Sequence, residues 1–205
     1  MSSELAALAA QTGEIYERNA ERFDRERPRI FFEQPWIDRF ASALPAGGRV
    51  LDLGCGAGEP IAGALIDAGF ALTGFDIAPA MLALARRRFP GAGWVQGDMR
   101  TLALGGTFDG IIGWDSFFHL TQDEQRATLP RIARHLAPGG VLLLTVGPEA
   151  GEVTGHVGDD RVFHASLAEA EYRTILGASG ITITAFVRED PGCDYHSLLL
   201  ARKDA

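Results

Sequence analysis

Within Arg49–Glu59, RVLDLGCGAGE, an apolar run holding an acid gives way to glycines at alternate positions, Gly54, Gly56 and Gly58. Glycine accepts positive φ and lets a second molecule come up against the backbone. Val50, Leu51 and Leu53 suit a buried strand, and the periodic stretch from Ile61 predicts a helix with Pro60 at its start. Strand, glycine turn and helix together make the crevice in which open α/β sheets hold nucleotide-like ligands. The same sequence also serves as a plain tight turn. Its spacing departs from the dinucleotide pattern G-x-G-x-x-G, and Glu59 sets a carboxylate where helix N–H groups would otherwise attract phosphate. The ligand this turn favours carries positive charge and no phosphate. Further on, Trp114-Asp115-Ser116-Phe117-Phe118-His119 mixes polar and aromatic side chains as small-molecule pockets do. His119 has an ordinary pKa of about 6.5, which suits proton transfer and equally allows a packed, hydrogen-bonded role.

The elements that must position these residues alternate strictly. After the glycine turn come a helix from Ile61, a strand at Ala71–Asp76, a helix at Pro79–Phe89 and a strand at Gly93–Gln96. A fourth strand spans Phe108–Trp114, Thr121 with Glu124 makes a capping box, and a fifth strand, Val141–Val146, follows Pro138-Gly139-Gly140. That alternation predicts parallel strands with right-handed crossovers. Ser166 with Glu169 is expected to cap a last helix, and Ile181–Val187 with Tyr195–Arg202 to form an antiparallel hairpin. Before all this, 1–45 reads as a helical lid or cap on the domain 46–205. Its helix over Ile15–Arg29 is expected to be mostly solvated and to be broken by Pro28 and Pro35. Glu149–Phe163 reads as a long polar connection of functional or mobile character.

Composition narrows the partners. The chain has 205 residues and a net charge of −8, enough for one sizeable core and contrary to nucleic acid as a main partner. Arg86, Arg87 and Arg88 suit a solvated helix face. Two cysteines give neither a disulfide framework nor a metal spacing, and no metal is expected. No apolar run approaches the roughly 20 residues a membrane span needs. The expectation is a protein of the reducing cytoplasm, away from membranes.

Five features resemble the class I S-adenosylmethionine-dependent methyltransferases. They are Asp52-Leu53-Gly54-Cys55-Gly56-Ala57-Gly58, Asp76 closing strand two, Gly97-Asp98-Met99, Phe108–Ile112, and Pro138-Gly139-Gly140. The resemblance implies an open, doubly wound seven-stranded sheet ordered 3-2-1-4-5-7-6 with strand seven antiparallel. It implies S-adenosylmethionine as cofactor, whose sulfonium and ammonium meet the charge requirement of the glycine turn. Asp76, 24 residues beyond Asp52, is then placed to accept from both ribose hydroxyls. Asp98 would meet the adenine amino group, with Met99 beside it, Ile77 and Met81 sandwiching the ring, and Asp52 holding the methionine end. Each acid also suits a plain cap at a strand–helix turn. The remaining cofactor contacts are expected from Tyr16, Gly54, Cys55, Gly56, Gly58 and Trp114. Phe117, Phe118, His119 and His164 are the candidate acceptor residues. His119 is the candidate base, with Asp115 as its support. The acceptor expected is a small molecule attacking through nitrogen, oxygen or carbon. A binding protein that holds the cofactor without transfer is the alternative, and a nicotinamide oxidoreductase is disfavoured by the glycine spacing and Glu59.

Overall fold

The computed structural model describes residues 3–27 and 30–205; Pro28, expected to break the N-terminal helix, lies outside the described residues. Five parallel strands lead the sheet: β1 (Arg49–Leu53), β2 (Ala71–Asp76), β3 (Gly93–Gln96), β4 (Phe108–Gly113) and β5 (Leu136–Val146). A hairpin, β6 (Gly151–Val157) with β7 (Asp160–Ser166), then stands apart, and β8 (Ile181–Asp190) and β9 (His196–Lys203) complete the sheet. The order is β3-β2-β1-β4-β5-β9-β8, with β9 antiparallel to both neighbours. This is the expected seven-stranded order, its last two strands being β8 and β9 here.

Side chains alternate across a strand, so each strand feeds two cores. On one side Leu51, Leu53, Leu142 and Leu144 pack against α6 (Gln122–His135) and α7 (Glu169–Gly177). On the other, Val50, Val141 and Leu143 pack against α3 (Gln34–Ser42) and α4 (Ile61–Asp67). Pro35 sits in the first turn of α3 and opens that helix, where a missing N–H costs nothing. Phe31, Phe32 and Trp36 pack on this second core, so these aromatics belong to the body of the domain.

Two further expectations change. Glu149–Phe163 is largely the hairpin, with Gly151 paired to Ser166 and Val157 to Asp160. Polar residues hid it because its strands are half exposed and lack a clean apolar alternation. Ser166 does not cap α7, whose N-cap is Ala168; the Ser166 hydroxyl instead takes the Gly147 N–H at 3.1 Å, pinning the hairpin's return. The capping box at Thr121 and Glu124 is present.

The N-terminal pieces are α1 (Ser3–Ala10) and α2 (Thr12–Glu26), and α5 (Pro79–Arg88) lies beside α2. The expected solvated helix is less free than its charge suggested, because Ile15 and Ala20 are buried. Arg18 and Asn19 reach Asp160 and Arg22 reaches Asp159, joining α2 to the hairpin. On the opposite face Glu17 accepts from the Ala80 N–H, and Arg88 pairs with Asp24 at 2.8 Å.

A buried polar knot fixes the hairpin to the segment after β4. The Tyr172 hydroxyl donates to Gln125 Oε1 at 2.7 Å and accepts from the Leu167 N–H at 3.2 Å. Gln125 in turn donates to the carbonyls of Leu120 and Ala165 at 3.0 and 2.7 Å. Both side chains are fully buried. Tyr172→Phe strands these partners and is expected to cost about 1–3 kcal/mol. Urea unfolding should show a lowered midpoint with an unchanged slope.

Candidate active site

The cleft opens at the carboxyl ends of β1, β2 and β4 and is walled by α2. Its floor is the glycine turn. The N–H groups of Gly54 and Cys55 both donate to the Phe75 carbonyl, at 2.7 and 3.3 Å, tying the turn to the end of β2. Asp76 closes the other side: Oδ2 accepts from the Gly56 N–H and Oδ1 from the Ala78 N–H, both at 2.8 Å. Each oxygen keeps a second lone pair, so the carboxylate still has capacity for two ligand hydroxyls. Burial raises its pKa despite those N–H groups. Gly56 has φ 52°, and a Cβ there would meet only Met81 Sδ, 4.0 Å away, on the cleft side. A Cβ on Gly58 would instead press on Trp94 at 3.1 Å, so that glycine serves helix packing.

Asp52 is 2% exposed, lines the cleft and accepts no hydrogen bond among the described residues. Burial, then the charge of Asp76, lifts its pKa to about 7, against the pull of Arg27. An orphaned buried carboxylate calls for a cation. An open glycine cradle, a ribose-competent acid and an acid awaiting a cation together fit S-adenosylmethionine.

The other expected cofactor residues divide. Cys55, Ile77, Met81, Met99 and Trp114 line the cleft; burial drives the Cys55 thiol well up, and Trp114 Nε1 is buried without a partner. Asp98 also lines it but doubles as a cap, accepting from the Arg100 N–H at 2.9 Å and pairing with its guanidinium at 2.6 Å. Burial opposes its charge, and Arg100 nevertheless holds it below the usual carboxylate range.

Of the candidate acceptor residues, Phe117 is fully buried in the main core and faces away from the cleft. Phe118 and His164 are not in the cleft wall; they stack behind His119, with ring centroids 4.9 Å from it in each case. His119 itself lines the cleft. Its Nδ1 lies 3.0 Å from the Phe163 carbonyl, which can only accept, so Nδ1 carries the proton. Nε2 then presents its lone pair and accepts from the Tyr16 hydroxyl at 2.9 Å. Burial, then His164, lowers the His119 pKa to about 4, and burial raises that of Tyr16. A neutral imidazole therefore faces the cleft at neutral pH.

Asp115 makes no hydrogen bond to His119 and reaches it only through its charge, which raises that imidazole's pKa against the effect of burial. It lies in a left-handed conformation, φ 49°, and its Oδ1 sits 3.0 Å from His196 Nε2. His196 is sandwiched between Phe32 and Trp114, with centroids 5.3 and 5.7 Å away, and its Nδ1 lies 2.9 Å from the Cys193 carbonyl. Burial opposes its charge, but Asp115 and the backbone around Cys193 and Asp194 raise its pKa to about 9. Sequence reading missed His196. The available signal was topological: an antiparallel β9 begins at the edge of the sheet where the parallel strands end. Arg27 and Phe23, also in the wall, carried no local motif, and Glu124 was legible only as part of the capping box.

Known proteins agree with this geometry. A methyltransferase-domain family model matches residues 50–140. The cypemycin N-terminal methyltransferase of a Streptomyces species is 36% identical, over 74% of this chain and 68% of its own length. The trans-aconitate 2-methyltransferase of Methylobacterium nodulans is 34% identical, over 68% of this chain. The chain spans 60% of that relative's length and 55% of another's. Among solved structures, S-adenosylmethionine-bound CalS10, an amino pentose methyltransferase from Micromonospora echinaspora, matches with a TM-score of 0.69 and 26% identity, covering 91% of this chain and 95% of its own. The chain belongs to the class I S-adenosylmethionine-dependent methyltransferases. The cleft fits the cofactor that gives this class its name. No helix among the described residues is long and apolar enough to cross a membrane, and no three metal-ligating side chains among them gather.

The two histidines should titrate on opposite sides of the ordinary 6.5, His119 near 4 and His196 near 9, by NMR of their ring protons. Stability should follow. The His196 contribution is full below pH 6.5 and fades as pH rises through 9, whereas that of His119 is full above pH 6.5 and fades as pH falls toward 4. Two titrations near 6.5 would contradict both environments.

Proposed function

We propose that this enzyme methylates a nucleophilic nitrogen, oxygen or carbon of a small-molecule acceptor seated beside Tyr16 and His119. The observation that carries the reading is the His119 lone pair at Nε2, exposed to the cleft and partnered only by the Tyr16 hydroxyl. When bound, the cofactor supplies a methyl group already activated by its sulfonium. The chain's own task is then alignment, with the acceptor atom held about 3 Å from that carbon. The Phe163 carbonyl keeps His119 in the tautomer that accepts a proton at Nε2, and the Tyr16 hydroxyl holds that nitrogen toward the cleft until an acceptor O–H or N–H replaces it. Burial keeps the imidazole neutral and water away. The acidic wall, with Asp52, Glu59, Asp76 and Asp98, opposes a nucleic-acid acceptor. A reducing cytoplasm suits two free, buried cysteines.

His119→Ala should lower kcat at least about 100-fold while leaving S-adenosylmethionine affinity within about twofold, the range expected for a lost general base. The readout is S-adenosylhomocysteine formed with a panel of amines, alcohols and carboxylates. No product with any acceptor from the unaltered enzyme would favour a cofactor-binding protein without transfer.

The same reading makes α2 and the hairpin a cover. The links between α2 and the hairpin, Arg18–Asp160 and Arg22–Asp159, are solvent-exposed and therefore weak. They can part to admit ligands, with Tyr16 moving away from His119. Hydrogen exchange should show Ile15–Ala20 and β6–β7 gaining protection on addition of S-adenosylmethionine. Unchanged exchange in both would make the cover a fixed wall.

A further inference from the structure

Asp115 stands between two hollows. It lines the cleft together with Tyr16 and His119, and it lines a shallow depression on the outer side with Phe118, Glu189, Asp194, Tyr195 and His196. No other described residue is shared by the two. Backbone strain collects at this border. Asp115, Glu189, Asp194 and Tyr195 are the non-glycine residues of positive φ among those described, and all four line the outer depression. Such conformations persist only where the surroundings hold them. For Asp115 the hold is visible: its N–H donates to Thr145 Oγ1 at 2.7 Å, and its Oδ1 lies 3.0 Å from His196 Nε2.

The other carboxylate oxygen, Oδ2, accepts no hydrogen bond among the described residues. Its charge reaches inward as well. Burial sets the direction of the pKa shifts of Tyr16 and His119, and the Asp115 carboxylate acts on both, upward. Two acceptors therefore serve the same region, the neutral Nε2 of His119 and the charged Oδ2 of Asp115.

The hydrogens a ligand must bring to them can be counted. A primary amine has two N–H groups to donate and keeps a lone pair with which to attack. An alcohol has one O–H and leaves one acceptor unmet. A carboxylate has none at neutral pH and meets Asp115 as a like charge. We propose that Asp115 binds the reacting nitrogen of a primary-amine acceptor, whose carbon body lies in the outer depression against Phe118 and Tyr195. This inference rests on the acceptor sitting beside Tyr16 and His119.

Transfer then moves positive charge toward Asp115. The nitrogen lone pair forms the new N–C bond, the C–S bond breaks, and its electron pair stays on sulfur. The positive charge passes from sulfur to nitrogen, where a carboxylate already in position stabilises it as it develops. The proton that nitrogen must then shed passes to His119 Nε2 and on to water.

NMR titration of the full chain, loaded with S-adenosylhomocysteine, tests this with three matched probes: 2-phenylethylamine, 2-phenylethanol and 3-phenylpropanoate. The amine should shift the ring signals of His119 and His196. It should bind at least about tenfold tighter than either other probe, as expected for a charge-assisted pair. Asp115→Asn keeps the shape and the tolerance for a left-handed backbone. It should bring the amine within about twofold of the alcohol and leave the alcohol unchanged. Glu189→Gln removes a charge from the rim alone and should leave the preference intact; its loss there would reduce the effect to general attraction and overturn the assignment. Equal or tighter binding of the alcohol or the carboxylate by the unaltered enzyme overturns it even if Asp115→Asn fails to fold. So does an Asp115→Asn protein that keeps the preference. In those cases a moved His119 signal leaves the acceptor's place beside His119 standing. If none of the three probes moves that signal, the acceptor's place falls together with the amine.

Discussion

Two carboxylates brought close together in a water-poor cleft set the terms for everything around them. The parallel register pairs Asp52 with Gly74, so Asp76 ends its strand just beyond the end of β1. Burial raises the pKa of both, and the charge of Asp76 raises that of Asp52 further. Asp76 is answered by backbone N–H groups from both flanking turns. Asp52 has no such answer within the protein, only a pull from Arg27. The glycine turn can place the Gly56 N–H against Asp76 because Gly54, Gly56 and Gly58 all adopt positive φ. Glu59, one residue on, adds a further acid to the same wall and disfavours any phosphate there. Cofactor choice is in this sense the solution to an electrostatic problem posed by the strand ends.

The chemistry at the other end of the cleft depends on a different kind of support. His119 presents the Nε2 lone pair to the cleft because a carbonyl from β7 holds its proton on Nδ1. That carbonyl is in place because Gln125 and Tyr172 bind the strand's end to the segment following β4. Asp115 and His196 play a parallel part on the outer side, bracing the strained residue that follows Trp114 with an ion pair and two aromatic faces. None of these groups lies next to its partner in sequence.

That distinction separates what could be read from the chain alone from what could not. The sheet order, Asp52, Asp76 and the glycine turn were legible because each follows from a strand meeting a helix, a local event with residue preferences. The Thr121 capping box was legible for the same reason. Phe117 was misread because the short helical turn at Phe117–His119 sends successive side chains in different directions, one into the core and one to the cleft. The direct partner of Asp115, His196, was not legible because it lies 81 residues further along the chain and only β9's direction brings it there. The hairpin was missed because it packs on helices and histidine rings and needs no alternating apolar face.

The hairpin's independence has an evolutionary side. β5 pairs directly with β9, so the seven-stranded sheet closes without any residue between Gly147 and Leu167. The hairpin nevertheless supplies the carbonyl that sets His119 and the surface against Phe118. Sequence drift in that insert can therefore change how His119 is held at the cleft while the strands beneath the glycine turn stay as they are. Two functions that share one cleft are written in two stretches of chain that can change at different speeds.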